Sequence, residues 1–303
     1  MKNPERILVG LDLSPDGKRL SVGSACAMEE ARALAREYGA EVVLLHSTHG
    51  DEFVDPLTAH ASIVSLGGTP AGRAALDAAC EGLKKAGVKA RLELSEDRPL
   101  SAFVAFAQKG EVDLVVVGKR AESYQDGRHL GSFSIQLLRY CPGPVLVVPP
   151  RPGVDKGPVL AATDLSEVGA VATRAGAELA RVRGVPLHVV HAYQLPFELI
   201  HAASREPREA HQAKLARLKD DAQAAIREGL GGAQADLHVA CTTPTRAIEA
   251  AIELVQPSVL VMGTVSRSGV PGLLFGNTAE RVLTRVDCAI LAVKPADFVS
   301  PIE

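Results

Sequence analysis

Short apolar runs alternate with longer, alanine-rich stretches along the whole chain. The runs are rich in valine, leucine and isoleucine, and the longer stretches carry apolar residues at helical spacing. Such alternation is typical of parallel strands covered by helices on both faces, so we predict an α/β fold. The predicted strands span 6–11, 41–46, 88–94, 113–118 and 144–148, then 158–163, 186–191, 235–240, 258–263 and 289–293. The predicted helices span 20–38, 70–86, 99–109 and 132–140, then 167–182, 206–229, 244–255 and 277–286.

The two halves of the chain repeat their loop residues as well as their apolar runs. The first strand ends in Asp-Leu-Ser both times, beginning at Asp12 and at Asp164, which is a displacement of 152. The fourth strand ends in Gly118 and in Gly263, a displacement of 145. The second copy therefore lacks seven residues between the two motifs.

The repeat predicts two domains, over residues 1–150 and 155–298. Each is close to the usual domain size and long enough to bury a core of its own. The joint at 149–153 is short and rich in proline, which favours two closely packed domains over two tethered ones.

Composition and charge exclude several classes of partner. The net charge is -3 and the pI is about 6.3, with no block of lysine and arginine, so we expect neither nucleic acid nor an anionic membrane as a partner. No apolar run approaches the roughly 18 residues of a membrane span, and no signal-peptide core is present. The five cysteines include no Cys-x-x-Cys pair, as expected of reduced thiols. We predict a cytoplasmic protein.

The candidate ligand site lies where the strands end, because open parallel sheets bind ligands beyond the carboxyl ends of their strands. Asp12 and Asp164 leave the first strand of each half there and could accept hydrogen bonds from hydroxyl groups. The structural alternative is that the Asp or the following Ser caps the next helix. Because each Asp is paired with a glycine loop in both halves, we favour a ligand role.

The glycine loop of each half favours an anionic ligand. A long loop follows the fourth strand and leads to a predicted helix start, at Gly131-Ser132 in the first half and at Gly276-Asn277 in the second. A helix start offers unpaired amides and a positive dipole end to a phosphate. Neither half contains a Walker loop or a Gly-x-Gly-x-x-Gly motif after its first strand, so P-loop and nicotinamide chemistry fit poorly.

Taken together, the Asp and the loop of form Gly-x2-Gly-x9-Gly-Ser/Thr resemble the tandem members of the universal stress protein family, over residues 5–150 and 157–296. The resemblance implies a flavodoxin-like, five-stranded parallel sheet with helices on both faces in each half, and ATP as ligand, with or without Mg²⁺. It also implies that the last strands of the two halves pair, which makes the chain an intramolecular pseudo-dimer. By position, the implied nucleotide-binding residues are Asp12, Ser47, Gly118, Ala121, Gly131 and Ser132, with Asp164, Ala192, Gly263, Ser266, Gly276 and Asn277.

Three positions depart from the family's loop. Ala121 and Ser266 stand at the middle glycine, and Asn277 stands at the closing Ser/Thr. A β-carbon is tolerated where the backbone has negative φ and is strained where φ is positive. The amide of Asn277 is larger than a hydroxyl and takes up space near a terminal phosphate. We therefore rank the first half, which keeps Gly131-Ser132, above the second for a triphosphate.

Two further features are read as structural. His46 and His191 are equivalent in the repeat, and no histidine spacing matches a zinc module, so we predict a packing or pocket-wall role and no metal. Residues 50–68 form a connection that is long for a compact domain. Its apolar residues favour burial, so we predict partial order, as a lid over the first site or as an insertion.

No catalytic constellation stands out, so we predict a protein that is not an enzyme, although slow ATP hydrolysis is compatible with the sequence. The leading hypothesis is a stress-response protein that binds ATP, ADP or AMP and whose contacts with protein partners, or with a second copy of itself, depend on occupancy. The competing hypothesis is a scaffold or carrier whose eroded loops hold another ligand or a protein. An enzyme of the wider adenine-nucleotide α-hydrolase superfamily ranks lowest, since the Ser-Gly-Gly-x-Asp-Ser loop is missing.

Overall fold

The computed structural model divides the chain into two compact units. The first unit comprises residues 2–155 and 284–303, and the second is formed by residues 156–283. The structure describes residues 3–49, 52–54, 63–65, 67–119, 130–151, 153, 155–194, 208–264, 276–283 and 285–302.

Six strands among the described residues form the main sheet of the first unit. Their order across the sheet is β12-β7-β6-β1-β2-β5, and neighbours are parallel except for the β7–β12 pair. With strands numbered in chain order, the six are β1 (Arg6–Gly10), β2 (Glu41–Ser47), β5 (Ala90–Ser95), β6 (Leu114–Gly118), β7 (Val145–Val148) and β12 (Ala289–Val293).

Four helices connect these strands: α1 (Val22–Tyr38), α2 (Pro70–Lys85), α3 (Pro99–Gln108) and α4 (Ser132–Tyr140). Helix α1 begins where the side chain of Ser21 accepts a hydrogen bond from the Ser24 amide, and it ends at Gly39, whose φ of 68° suits glycine. Residues 7–9, 42–46 and 114–117 are buried without interruption. Consecutive buried residues on a strand show that both faces of the sheet are covered.

The second unit has four parallel strands in the order β10-β9-β8-β11. They are β8 (Val159–Thr163), β9 (Leu187–Tyr193), β10 (Asp236–Cys241) and β11 (Val259–Gly263). The helices described in this unit are α5 (Glu167–Arg183), α6 (Arg208–Gly229), α7 (Pro244–Val255) and α8 (Asn277–Leu283). None of the helices in the described part of the chain is long and apolar enough to cross a membrane.

Strand β12 comes from the second repeat but lies in the first unit. It pairs antiparallel with β7, with Leu291 opposite Leu146. Both strands are fully buried. The pairing of the two last strands, which the family resemblance implies, is therefore confirmed, and it protects two apolar edges that would otherwise invite aggregation.

The predicted elements agree closely with the observed ones, and the α/β class with parallel strands is confirmed. Within 50–68 the described residues form a short antiparallel pair, β3 (Glu52–Val54) and β4 (Ile63–Ser65), in keeping with the predicted partial order. Thr243 occupies the N-cap position of α7, and its side chain makes no capping hydrogen bond.

Candidate functional site

Each unit contains a cavity at the carboxyl ends of its parallel strands. The cavity of the first unit, called here the first cavity, has a volume of about 610 Å³. The second cavity, in the second unit, has a volume of about 700 Å³. Both volumes are in the usual range for sites that bind small molecules.

The first cavity brings together most of the residues predicted for the first site. Asp12 comes from the end of β1, Ser47 from the end of β2, Gly118 from the end of β6, and Gly131 and Ser132 from the start of α4. These residues are up to 120 positions apart in sequence and meet because their strands are parallel neighbours. The remaining predicted residue of this site, Ala121, lies outside the described residues.

The second cavity brings together the equivalent set. Asp164, Ala192, Gly263 and Gly276 all line it. Of the two other residues predicted for this site, Ser266 lies outside the described residues, and Asn277 is the first residue of α8 with its side chain outside the description.

In the first cavity, two serines hold the backbone of Asp12 between strand β1 and helix α1. The Asp12 amide donates to Ser24 Oγ over 2.7 Å, and the Asp12 carbonyl accepts from the Ser21 amide over 2.8 Å. Ser21 also caps α1, since its hydroxyl oxygen accepts from the Ser24 amide. The backbone of Asp12 is therefore held by the first turn of α1, which sets where its carboxylate lies.

The motif Asp-Leu-Ser is not equivalent in the two halves, contrary to the sequence prediction. The residue that caps the helix is Ser21 in the first half, nine positions after Asp12, and Ser166 in the second, two positions after Asp164. The difference between nine and two is the seven residues that the second copy lacks. In the first half these residues form a turn in which the Ser14 amide donates to Arg19 O over 2.8 Å, so Ser14 does not cap α1.

In the second cavity Asp164 is bonded to the residue that caps α5, because the connection between strand and helix is short. Ser166 accepts from the Gly169 amide, and both its hydroxyl and its amide donate to Asp164 Oδ1. The intervening Leu165 has a φ of 62°, a strained conformation for a residue with a branched side chain. The capping alternative thus describes Asp164 better than Asp12, although both line a cavity.

His46 and His191 play the same part in the two units. The Nδ1 atom of His46 lies 2.9 Å from Leu11 O, and that of His191 lies 2.9 Å from Thr163 O. A carbonyl oxygen can only accept, so Nδ1 carries the proton in both rings. Each histidine ties the end of the second strand to the residue that precedes the aspartate, and the predicted packing role is confirmed.

Within the described ranges, no group of three or more His, Cys, Asp or Glu side chains is arranged to hold a metal. His188 on β9 stacks on His238 of the neighbouring strand β10, with His188 Nδ1 and His238 Nε2 3.0 Å apart.

The glycines that end β6 and β11 have a packing role that the sequence reasoning missed. A β-carbon built on Gly118 would lie 2.1 Å from Gly23 O, because the end of β6 crosses the start of α1 backbone to backbone. A β-carbon on Gly263 would meet a side chain, Val168 Cγ1, at 2.7 Å. A β-carbon on Gly131 would meet no described atom within 4 Å, and φ there is −62°. Of the three, Gly131 is the glycine that the protein's own packing does not require.

The first cavity offers groups that suit an anion. Among the described residues no side chain caps α4, whose N-cap residue is Gly131, so the first amides of this helix lie at the cavity without a described side-chain acceptor. Arg98 and His49 also line the cavity. Arg98 was not among the predicted residues, and its position directly before Pro99 at the start of α3 is the signal that could have identified it.

Lys119 also borders the first cavity, but its ammonium group points away from it. Lys119 Nζ donates to Val286 O over 2.9 Å and to Cys288 O over 3.4 Å, and the side chain is only 1% exposed. Burial lowers the pKa of Lys119 to about 8. The ammonium charge of Lys119 is therefore directed to carbonyl oxygens inside the first unit and not to the first cavity.

Comparison with known proteins identifies the family. A profile of the universal stress protein family matches residues 4–149 and 157–294. The chain belongs to the universal stress protein family. Among curated relatives, Universal stress protein E of Escherichia coli K12 is 28% identical over 218 residues, which is 68% of each chain. Universal stress protein Mb2019 of Mycobacterium bovis is 30% identical over 207 residues, covering 63% of this chain and 62% of its own.

Solved structures share the fold over nearly the whole chain. The functionally unknown protein PA1789 of Pseudomonas aeruginosa PAO1 is 21% identical with a TM-score of 0.70, covering 97% of this chain and 93% of its own. A universal stress protein from Archaeoglobus fulgidus is 19% identical with a TM-score of 0.66, covering 97% of this chain and 99% of its own. At these identities the likeness concerns the fold alone.

Proposed function

We propose that this universal stress protein binds an adenine nucleotide in the first cavity, and that it acts in the cytoplasm through contacts with partner proteins that change with occupancy. The observation that carries the proposal is the uncapped start of α4 at Gly131, which opens into the same cavity as the carboxylate-bearing Asp12. A carboxylate suits ribose hydroxyls, and helix amides suit phosphate.

Ser47 and Arg98 support an ordered arrangement of the ligand. The Ser47 hydroxyl donates to Asp97 O over 2.6 Å, so the end of β2 is tied to the turn that presents Arg98 to the cavity. Three recognition elements then surround one space: the end of β2 for the base, Asp12 for the ribose, and α4 for the phosphates. ATP, with or without Mg²⁺, is the ligand we expect there.

The second cavity is proposed as a weaker nucleotide site. Asp164 Oδ1 already accepts two hydrogen bonds from Ser166, which leaves less of the carboxylate for a ribose. Among the described residues, no lysine or arginine lines this cavity, and much of its wall is apolar, including Val168, Ile248 and Met262. This wall also favours the competing function, a carrier of a different, less charged ligand.

The test begins with protein purified without added nucleotide and then denatured, so that any adenine nucleotide released can be identified by chromatography. Calorimetric titration of ATP follows for the wild type, Asp12→Ala and Asp164→Ala. Because Asp12 supplies the charged partner of the ribose, we expect Asp12→Ala to weaken binding by about tenfold or more, and Asp164→Ala to weaken it less.

Asp16→Ala is the matched control, since Asp16 lies on the turn after β1, is exposed and does not line the cavity. It should bind ATP like the wild type. Absence of both copurified nucleotide and calorimetric heat at about 1 mM ATP would refute nucleotide binding. Equal affinities for Asp12→Ala and Asp16→Ala would refute the assigned role of Asp12.

A further inference from the structure

The residues after β12, called here the 295–302 segment, have a defined path in the first unit. The Phe298 amide donates to Pro295 O over 3.1 Å, and Lys294 Nζ lies 4.8 Å from the centre of the Phe298 ring. Further along, Ser300 is only 8% exposed, and its hydroxyl oxygen accepts from the Ile302 amide over 3.2 Å. The segment therefore turns twice and is anchored at Phe298.

The far end of this segment reaches the first cavity. Ile302 lines the cavity, and its carbonyl accepts a hydrogen bond from Gln108 Nε2 over 3.2 Å at the end of α3. Phe103 and Phe133 line the same cavity, with their rings edge to face and 5.5 Å apart between centres. Ile302 thus adds an aliphatic side chain to a cavity that already has an aromatic portion in its wall.

Among the residues that the structure describes, the second cavity has no equivalent of Ile302. The repeat displacement of 145 relates Ile302 to Gly157, and Gly157 does not line the second cavity. The described residues around that cavity all lie between Ala162 and Ala279. The 295–302 segment therefore makes the first cavity different from the second, although the strand ends that line the two cavities are equivalent.

We propose that Ile302 is a ligand-contacting residue of the first cavity, and that the 295–302 segment slows the release of nucleotide bound there. The proposal rests on nucleotide binding by the first cavity. Ile302 is half-buried and its carbonyl is tied to the exposed side chain of Gln108, while the Phe298 end is held by Lys294. The Ile302 end can therefore lift without loss of the Phe298 anchor, and a bound ligand adds contacts that hold it down.

The experiment measures release of a fluorescent adenine nucleotide by stopped flow after addition of excess ATP. Asp164→Ala serves as the background, so that the signal reports the first cavity. In that background Ile302→Asp should release nucleotide about tenfold faster, because a carboxylate cannot replace the apolar contact and repels phosphate. Ile302→Ala should accelerate release by a smaller factor in the same direction.

Val299→Asp is the matched control, since it adds the same charge to the same segment at a side chain that is 79% exposed and does not line the cavity. Its release rate should stay within about twofold of the background protein. Equal rates for Ile302→Asp and Val299→Asp, with binding intact, would overturn the role of the segment and leave nucleotide binding standing. No binding by the background protein or the wild type would instead refute nucleotide binding itself, and this inference with it.

Discussion

The two cavities are made from equivalent strand ends, yet they differ in how the first strand reaches the first helix. In the first unit eight residues lie between Asp12 and Ser21, the capping residue of α1, and the Asp12 backbone bonds to Ser24 and Ser21. In the second unit one residue lies between Asp164 and the capping residue Ser166, and the Asp164 carboxylate accepts from Ser166. The length of one loop thus decides whether the aspartate lies next to the capping residue of the following helix.

The same contrast recurs where the fourth strand ends. Gly118 crosses a second glycine, Gly23, with backbone against backbone, whereas Gly263 faces the side chain of Val168. The next residue is the buried Lys119 in the first unit and Thr264 in the second, and the Thr264 hydroxyl has no hydrogen-bond partner among the described residues. The strand end beside the first cavity is therefore packed more tightly against the protein backbone than its counterpart beside the second cavity.

The largest effect is expected from Gly118→Ala compared with Gly263→Ala. The new methyl group at Gly118 would overlap the backbone of Gly23, which cannot rotate away, so we expect a loss of about 3 kcal/mol in the free energy of unfolding. At Gly263 a rotation of Val168 can relieve the contact, and we expect about 1 kcal/mol. Urea unfolding measures both.

Gly131→Ala is the control for these two variants, since its new methyl group meets no described atom. It should unfold nearly as the wild type does. Equal losses at Gly118 and Gly263 would show that the two strand ends are constrained alike.

A smaller effect is expected in the pH dependence of the free energy of unfolding. Lys119 contributes to this dependence, whereas its counterpart Thr264 has no charge and does not. Below pH 8 Lys119 is protonated in both the folded and the unfolded chain, so it adds no pH dependence. Between pH 8 and its ordinary pKa of 10.5, only the unfolded chain holds the proton, and the free energy of unfolding rises. From pH 8 to 9.5 we expect the free energy of unfolding to rise by about 2 kcal/mol more in the wild type than in Lys119→Met, which keeps the contribution of the other buried lysine, Lys294.

Comparison of the two proteins at each pH removes the contribution of other groups, such as the buried thiol of Cys141, whose pKa is raised by burial. Lys18→Met, a change at an exposed lysine, should keep the wild-type profile. A Lys119→Met profile parallel to that of the wild type would show that the Lys119 charge carries no folding cost.

The smallest effect concerns the residue after each aspartate. Leu165 is held at a φ of 62° and is 41% exposed, so glycine relieves strain there and removes little burial. Leu13 forms a bridge with Leu20 at an ordinary φ, and glycine there only loses contacts and adds freedom to the unfolded chain. We expect Leu13→Gly to lower the free energy of unfolding by about 1 kcal/mol more than Leu165→Gly does. The reverse order, measured by urea unfolding, would show that Leu165 is not strained.

Much of the fold could be predicted because the apolar pattern is nearly continuous in the strands and periodic in the helices. Helix α7 was predicted over its observed span, Pro244–Val255, from a proline start and regular apolar spacing. The gathering of Asp12, Ser47 and Gly131 at one cavity followed from the rule that parallel strands end on one edge. The roles of Ala121 and Ser266 stay predictions, because both lie outside the described residues.

Other features of the candidate site depend on contacts between distant residues, which no local pattern records. Gly118 looks like part of a phosphate loop, but its closest neighbour is Gly23, 95 positions earlier. The ammonium group of the adjacent Lys119 binds the carbonyl oxygens of Val286 and Cys288. In both cases a contact between distant parts of the chain gives the residue a packing role that no local motif shows.

The order of residues along the chain was sufficient to establish the repeat, the α/β class and the strand ends where a ligand can bind, because these follow from apolar periodicity and loop composition. Three-dimensional packing settled which aspartate bonds to the residue that caps a helix, which glycine avoids a backbone clash and which lysine is buried. It also brought Ile302 to a cavity whose other walls come from the opposite half of the chain. The physical reason is that periodicity reports burial one element at a time, whereas steric fit and hydrogen bonding are properties of pairs of elements that the fold alone brings together.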